Sequence, residues 1–226
     1  MTNPEIKPAA NAPCLDITER TRVRRMHQYG SYVQADLYAV LDAAPLSHIG
    51  YRIDGQPFVT PTLHWRDGDR IYWHGSSASR FLRAINGHPV CLTATLMDGY
   101  VLARSMYNHT VNYRSAMAFG IAHRVEGNDA SIAALRRFSD RFFPGRWDRA
   151  RPPTTSELRA THIFWLEIED ASVKQRSGPP DDPEDAAWPI WAGVLPMKIA
   201  FASPEPAPDM PPTVTDGPPE HPLSQP

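Results

Sequence analysis

Residues 71–83 read Ile-Tyr-Trp-His-Gly-Ser-Ser-Ala-Ser-Arg-Phe-Leu-Arg. An aromatic strand runs into a hydroxyl-rich turn, with Arg80 where a helix should begin. A helix N-terminus carries unpaired backbone N–H groups and a partial positive charge. Ser76, Ser77 and Ser79 add hydroxyls and Arg80 a forked cation, a combination able to hold a phosphate. The competing reading is a plain helix cap. Without a G-x-x-x-x-G-K-[ST] run, and among hairpins rather than a βαβ unit, the turn is not that of a nucleoside triphosphatase.

Other reactive side chains are less organised. The nine histidines show no H-x-x-x-H or H-x-H spacing and no adjacent cysteine, which argues against structural zinc. His48, His64 and His109 remain candidates to ligate haem iron, and spacing selects none of them. Arg104, Asn108, His109, Asn112 and Arg114 form a polar cluster between two strands, read either as a solvated connection with Arg104 ion-paired or as a cluster beside a cofactor or at a dimer interface. Glu167 and Glu169, two apart on an amphipathic strand, mark its wet face, and Asp181, Asp182, Glu184 and Asp185 form a solvated acidic loop. There is no G-x-S-x-G elbow for serine hydrolysis.

The elements that must position these groups are mainly strands. His48–Ile53, Phe58–Trp65 and Arg70–His74 are joined by Asp54-Gly55 and Asp67-Gly68, strong hairpin signals. Val90–Met97 alternates and turns at Asp98-Gly99 into Tyr100–Ser105. Further strands span about 115–125 and 162–173. Six or seven antiparallel strands with short turns must hide their edges, and a small barrel does so. Helices are expected at 34–42, 79–85 and 129–142. In the last, Ile132, Leu135, Phe138 and Phe142 form a core-facing stripe.

With 226 residues, 42% of them hydrophobic, the chain can bury one good-sized core. The formal charge of −2, with scattered basic residues, gives no electrostatic case for nucleic acid or an anionic membrane. Cys14 and Cys91 lie far apart, and Cys91 reads as a buried thiol. No segment resembles a signal peptide or a membrane helix, so a cytoplasmic protein is expected. Residues 1–17 read as a disordered arm and 18–199 as one domain. Residues 200–226 hold nine of the 24 prolines and read as a disordered tail.

Several strings together resemble the pyridoxamine 5′-phosphate oxidase-like split-barrel flavoproteins, in particular the flavin-nucleotide-binding or nitroimidazole-resistance (Nim-type) branch. They are Asp54-Gly-Gln-Pro-Phe-Val-Thr-Pro-Thr62, the turn from His74 to Arg83, Leu96-Met-Asp-Gly-Tyr-Val-Leu-Ala-Arg-Ser105 and Asn112-Tyr-Arg-Ser115. Lys174-Gln-Arg-Ser-Gly-Pro-Pro180 and Trp191-Ala-Gly-Val-Leu-Pro196 complete the likeness, which covers about residues 20–198.

The resemblance implies a mainly β, six-stranded FMN-binding split barrel that forms a homodimer, with each flavin in a groove between subunits. Thr60, Pro61, Thr62 and Leu63 would lie along the isoalloxazine ring. Tyr72, Trp73 and His74 would line ring and ribityl chain, while Ser79 and Arg80 take the phosphate. Arg114 and Ser115 would approach the cofactor, often from the partner subunit, with Lys174, Arg176 and Trp191 completing the clamp and ring wall. The implied activity is an oxidoreductase that passes electrons from NADH or NADPH through FMN to a small electron-poor acceptor, a nitro compound or quinone. His74 is the candidate proton donor. The segment from Trp191 to Met197 lacks the arginines with which pyridoxamine phosphate oxidases grip substrate, which argues against vitamin B6 oxidation. A non-catalytic FMN store or sensor, and a haem-binding split barrel, are the alternatives.

Overall fold

The computed structural model describes residues 13–214 and 217–218. Asp54 and Gly55 both adopt positive φ, 49° and 78°, the type I′ geometry that matches strand twist. They join β2 (Leu46–Ile53) to β3 (Gln56–Asp67), and Gly68 at φ 59° begins the tight connection to β4 (Arg70–Ser76). A long hairpin follows, β5 (Pro89–Leu102) and β6 (Thr110–Arg124), then β7 (Thr161–Glu167) and β8 (Asp170–Arg176). The short strands β1 (Gly30–Ser31) and β9 (Gly193–Pro196) pair outside, on β8 and β5.

The sheet order is β1-β8-β6-β7-β4-β3-β2-β5-β9, and β5 also pairs with β6. That extra pairing closes β2, β3, β4, β7, β6 and β5 into the expected six-stranded barrel. The barrel is split because β6 changes partner: residues 113–119 pair with β8 and residues 122–124 with β7. Gly120 lies at the change. A Cβ there would approach the Glu167 carbonyl oxygen to 2.2 Å, so only glycine lets the strands come this close.

The barrel interior buries Ile49, Ile71, Trp73, Leu92, Phe164 and Leu166. The helix α1 (Gln34–Ala43) adds Leu37, Val40 and Leu41 to this core, and α2 (Arg80–Ile85) adds Phe81, Leu82 and Ile85. A second cluster, Trp65, Tyr72, Ala134, Phe142 and Ile163, lies beneath α3 (Asn128–Phe142), whose apolar stripe packs as expected.

Four expectations change. Asp98-Gly99 is a bulge within a continuous β5, not a turn, and the chain reverses at the 3-10 turn Met106–Asn108. The strand expected over 162–173 is two, β7 and β8. A short helix, α4 (Thr155–Ala160), is closed by a capping box from Thr154 and Glu157 that the sequence reading passed over. Of the expected N-terminal arm, residues 13–15 pair with residues 32–34, while residues 1–12 lie outside the described residues. Residues 200–214 are exposed without helix or strand, and most of the chain beyond them lies outside the described residues. Among the described residues no helix is long and apolar enough to cross a membrane.

Candidate functional site

The turn after β4 is pinned by its own backbone: Ser77 N–H donates to the Ala160 carbonyl at 2.8 Å and Ser79 N–H to the Ser76 carbonyl at 2.9 Å. Arg83 Nε donates to the Ser77 carbonyl. Ser79 stands at the N-cap of α2, yet its hydroxyl makes no capping hydrogen bond. The Arg80 guanidinium lies 5.1 Å over the Phe58 ring and has no carboxylate partner among the described residues. Tyr51 stacks on Phe58 at 5.7 Å and packs on Phe81 at 4.7 Å. Its hydroxyl is 3.0 Å from Thr60 Oγ1. An unpaired cation, an uncommitted hydroxyl and an aromatic wall therefore meet at one end of β3, which suits a group that is anionic at one end and flat and apolar beyond.

The run Thr60 to Leu63 divides between two faces, as strand alternation requires. Thr60 and Thr62 lie opposite Ile49 and Ser47, toward the interior. Pro61 and Leu63 lie opposite His48 and Leu46 on the outer face of the sheet. Of the expected ring-lining residues, Trp73 is 0% exposed and stacks on Phe164 in the barrel core, so its indole cannot wall an open groove. Tyr72 is buried against Trp65. His74 meets Phe138 edge-on at 5.0 Å, and its Nδ1 is buried without a hydrogen-bond partner. Burial pushes its pKa below the ordinary histidine value, which favours the neutral ring.

The second expected set lies elsewhere. Thr60 is in register with Ile49, Leu92 and Ala118, three strands over and four residues along β6 from Arg114. That is about 14 Å across and about 13 Å along the sheet. The groups there are already engaged. Arg114 donates from Nε and Nη2 to the two Asp98 carboxylate oxygens, at 2.9 and 2.6 Å. Ser115 Oγ donates to the Lys174 carbonyl, and Lys174 Nζ to the Arg25 carbonyl. Arg176, 8% exposed, donates to Asn112 Oδ1 and to the carbonyls of Gly178 and Pro179. Arg176 thus ties down the loop after β8. Trp191 is 62% exposed, with its ring against Gly193, where a Cβ would stand 2.8 Å from Cζ2.

Two clefts flank these groups. One of about 700 Å³ is lined by Tyr29, Tyr32, Asp98, Arg114, Arg176 and Val194, among others. The other, of about 550 Å³, is walled by Leu135, Phe138, Trp147, Pro152 and Leu158 beneath α3 and α4. The described residues contain no group of three or more metal-ligating side chains.

Sequence reasoning missed Tyr51, Phe58 and Phe81, because they lie on β2, β3 and α2 and come together only in the fold. It also took Asp182 for a solvated loop residue. Asp182 is 3% exposed and ion-paired to Arg104. His64, one of the candidate iron ligands, is 2% exposed with Nε2 at 2.9 Å from the Leu41 carbonyl.

Comparison with known proteins places this geometry. The chain is similar to the flavocytochrome Anf3 from Azotobacter vinelandii, with 46% identity over 88% of this chain and 94% of that one, and a TM-score of 0.84. It is also similar to the FAD and haem binding protein from Mycobacterium smegmatis, with 37% identity over 84% and 94% of the two chains and a TM-score of 0.79. A candidate 5-nitroimidazole antibiotic resistance protein from Bacteroides thetaiotaomicron shares the fold at 18% identity, with a TM-score of 0.52 over 62% of this chain and 82% of that one. No curated protein matches. The family model for pyridoxamine 5′-phosphate oxidase matches residues 34–175. Given the split barrel, that match and the identity shared over most of its length, the chain belongs to the pyridoxamine 5′-phosphate oxidase family.

Proposed function

We propose that this chain is a redox protein carrying a flavin and a haem, which passes electrons from a reduced nicotinamide to a small electron-poor acceptor. The observation that carries this reading is the 46% and 37% identity, across most of the chain, to a flavocytochrome and to a FAD and haem binding protein. The likeness to the nitroimidazole-resistance type is weaker, at 18%. FAD therefore replaces FMN as the favoured flavin, and the haem alternative becomes part of the main reading.

The residues present fit a flavin. Arg80, without an ion-pair partner, and the uncommitted Ser79 hydroxyl suit its phosphate, and Tyr51, Phe58 and Thr60 suit the beginning of its apolar body. A bound flavin takes up two electrons as hydride and releases them singly, which couples a nicotinamide to a one-electron centre. The chain's own work is to hold the anionic end and to keep water from one side of the site with the Tyr51, Phe58 and Phe81 rings.

A homodimer belongs to the proposal. The outer sheet face exposes Leu46 (44%), Val59 (67%), Leu63 (41%) and Met117 (41%), an apolar patch of the kind a second copy covers. Acid release of the cofactors from purified protein, with chromatography of the flavin and a pyridine haemochrome assay, tests the reading. FAD together with haem supports it. FMN without haem returns the FMN oxidoreductase, and neither cofactor rejects both.

A further inference from the structure

Resting on that redox reading, we propose that His109, at the tip of the β5–β6 hairpin, would hold the haem iron through its Nε2. The sequence left His48, His64 and His109 undivided, and the structure separates them.

A histidine that binds a metal through one ring nitrogen almost always has the other held by a hydrogen bond, which fixes both tautomer and ring orientation. His109 Nδ1 lies 2.8 Å from the Ser105 carbonyl oxygen. A carbonyl can only accept, so Nδ1 carries the proton and Nε2 keeps its lone pair. The ring is exposed, leaving Nε2 open to a ligand. His64 has the matching bond to Leu41, but at 2% exposure it is sealed inside the protein. His48 stands on the outer sheet face opposite Pro61 and Thr93, and no hydrogen bond to its ring is seen among the described residues.

The surroundings of His109 suit a flat apolar macrocycle. Met106 is 85% and Tyr107 92% exposed, which leaves two neighbouring apolar side chains free to cover one edge of a ligand. Tyr100 is opposite both Val111 and Leu195, and Leu102 is opposite Gly193, so these residues share one sheet face. His109 precedes Val111 by two residues in extended backbone (φ −61°, ψ 136°), which places it on that same face. Tyr100 is 50% exposed, Leu195 49% and Trp191 62%. The Trp191 ring can lie against the strand because residue 193 has no side chain.

The tip is also held. Ala103 is 1% exposed, and Arg104 is ion-paired to the buried Asp182. Asn112 donates to the Gly178 carbonyl and accepts from Arg176. A ligand on such a base keeps its aim. Forming the bond moves one lone pair from neutral imidazole to iron, with no proton lost and no redox change.

The test is titration of hemin into haem-free protein, read by the Soret band and by the spectrum of the ferrous form, for wild type and His109→Ala. The expected result is uptake weakened by about tenfold or more, an altered ligand-field spectrum, recovery of the wild-type spectrum on adding imidazole, and unchanged flavin content. A His109→Ala protein that takes up hemin with wild-type affinity and spectrum overturns the ligand assignment alone. Failure of the wild-type protein itself to bind hemin overturns the assignment together with the haem reading beneath it.

Discussion

Arg104 and Asp182 join the far end of the β5–β6 hairpin to the loop after β8. Arg104 Nη1 donates to Asp182 Oδ1 at 2.9 Å, and the Asp182 side chain is 2% exposed. The Arg104 backbone N–H donates to the other carboxylate oxygen. Removing the carboxylate leaves a cation and a backbone donor without their partner. Asp182→Ala should therefore lose about 3 kcal/mol of stability, read as a lower urea midpoint. A change within about 0.5 kcal/mol, the range of ordinary surface substitutions, would mean that the loop is not held this way.

Arg80→Ala isolates the proposed phosphate contact. The guanidinium makes a ring contact with Phe58 and no ion pair among the described residues, so folding stability should hardly change. Flavin affinity should fall by about 1.5–3 kcal/mol, the worth of a charge-assisted hydrogen bond. Isothermal titration of the flavin-free protein separates the two quantities. Undiminished affinity would remove Arg80 from the site.

His64 sets an acid sensitivity. Burial lowers its pKa from 6.5 to about 4, so between those values the unfolded chain binds a proton that the folded chain refuses. Stability is then fully present above about pH 6.5, falls as the pH drops toward 4, and stops falling below it, for a loss of about 3 kcal/mol in all. His74 and His162 are shifted in the same direction. Urea unfolding at pH 7 and pH 5 should show the loss in wild type and a smaller one in His64→Gln. An equal loss in both would assign it to other groups.

Gly120 should tolerate no side chain. Its missing Cβ is what lets β6 pass the Glu167 carbonyl at the split. Gly120→Ala should cost about 1–3 kcal/mol through overpacking, visible in the thermal midpoint. Gly68→Ala, whose Cβ would meet nothing within 4 Å but sits at φ 59°, reports backbone strain alone and should cost less.

Met117→Glu and Leu63→Arg place charges on the exposed apolar face of the sheet. Sedimentation should show a dimer in wild type and a monomer in the double variant, with flavin binding weakened alongside. A wild-type monomer that binds flavin fully would confine the site to one chain.

The same dipeptide shows how far the sequence could be read. Asp54-Gly55 and Asp98-Gly99 carry the same local turn signal, and at Asp54-Gly55 it holds because the flanking strands pair with each other from the next residue. At Asp98-Gly99 the β5 backbone runs on, since β6 and β9 pair with it on both sides and the extra residue is absorbed as a bulge. Only tertiary pairing decides between the two outcomes. The helix start at Ser79-Arg80 was legible because its signal is local. The partners of Arg114 and Arg176 (Asp98, Asn112 and the carbonyls of Gly178 and Pro179) were not legible, because they come together only through strand register. The flavin expectation came from resemblance, and the proposal of FAD with haem in place of FMN rests on proteins similar over most of the chain.

Anaerobic addition of NADH or NADPH to the cofactor-loaded protein tests the central claim most directly. The account predicts that the flavin bands bleach first and that the Soret band then shifts to its ferrous position, with both reverting when an electron acceptor is admitted. A flavin that bleaches while the haem stays ferric, or a protein in which neither spectrum responds to either nicotinamide, would contradict it.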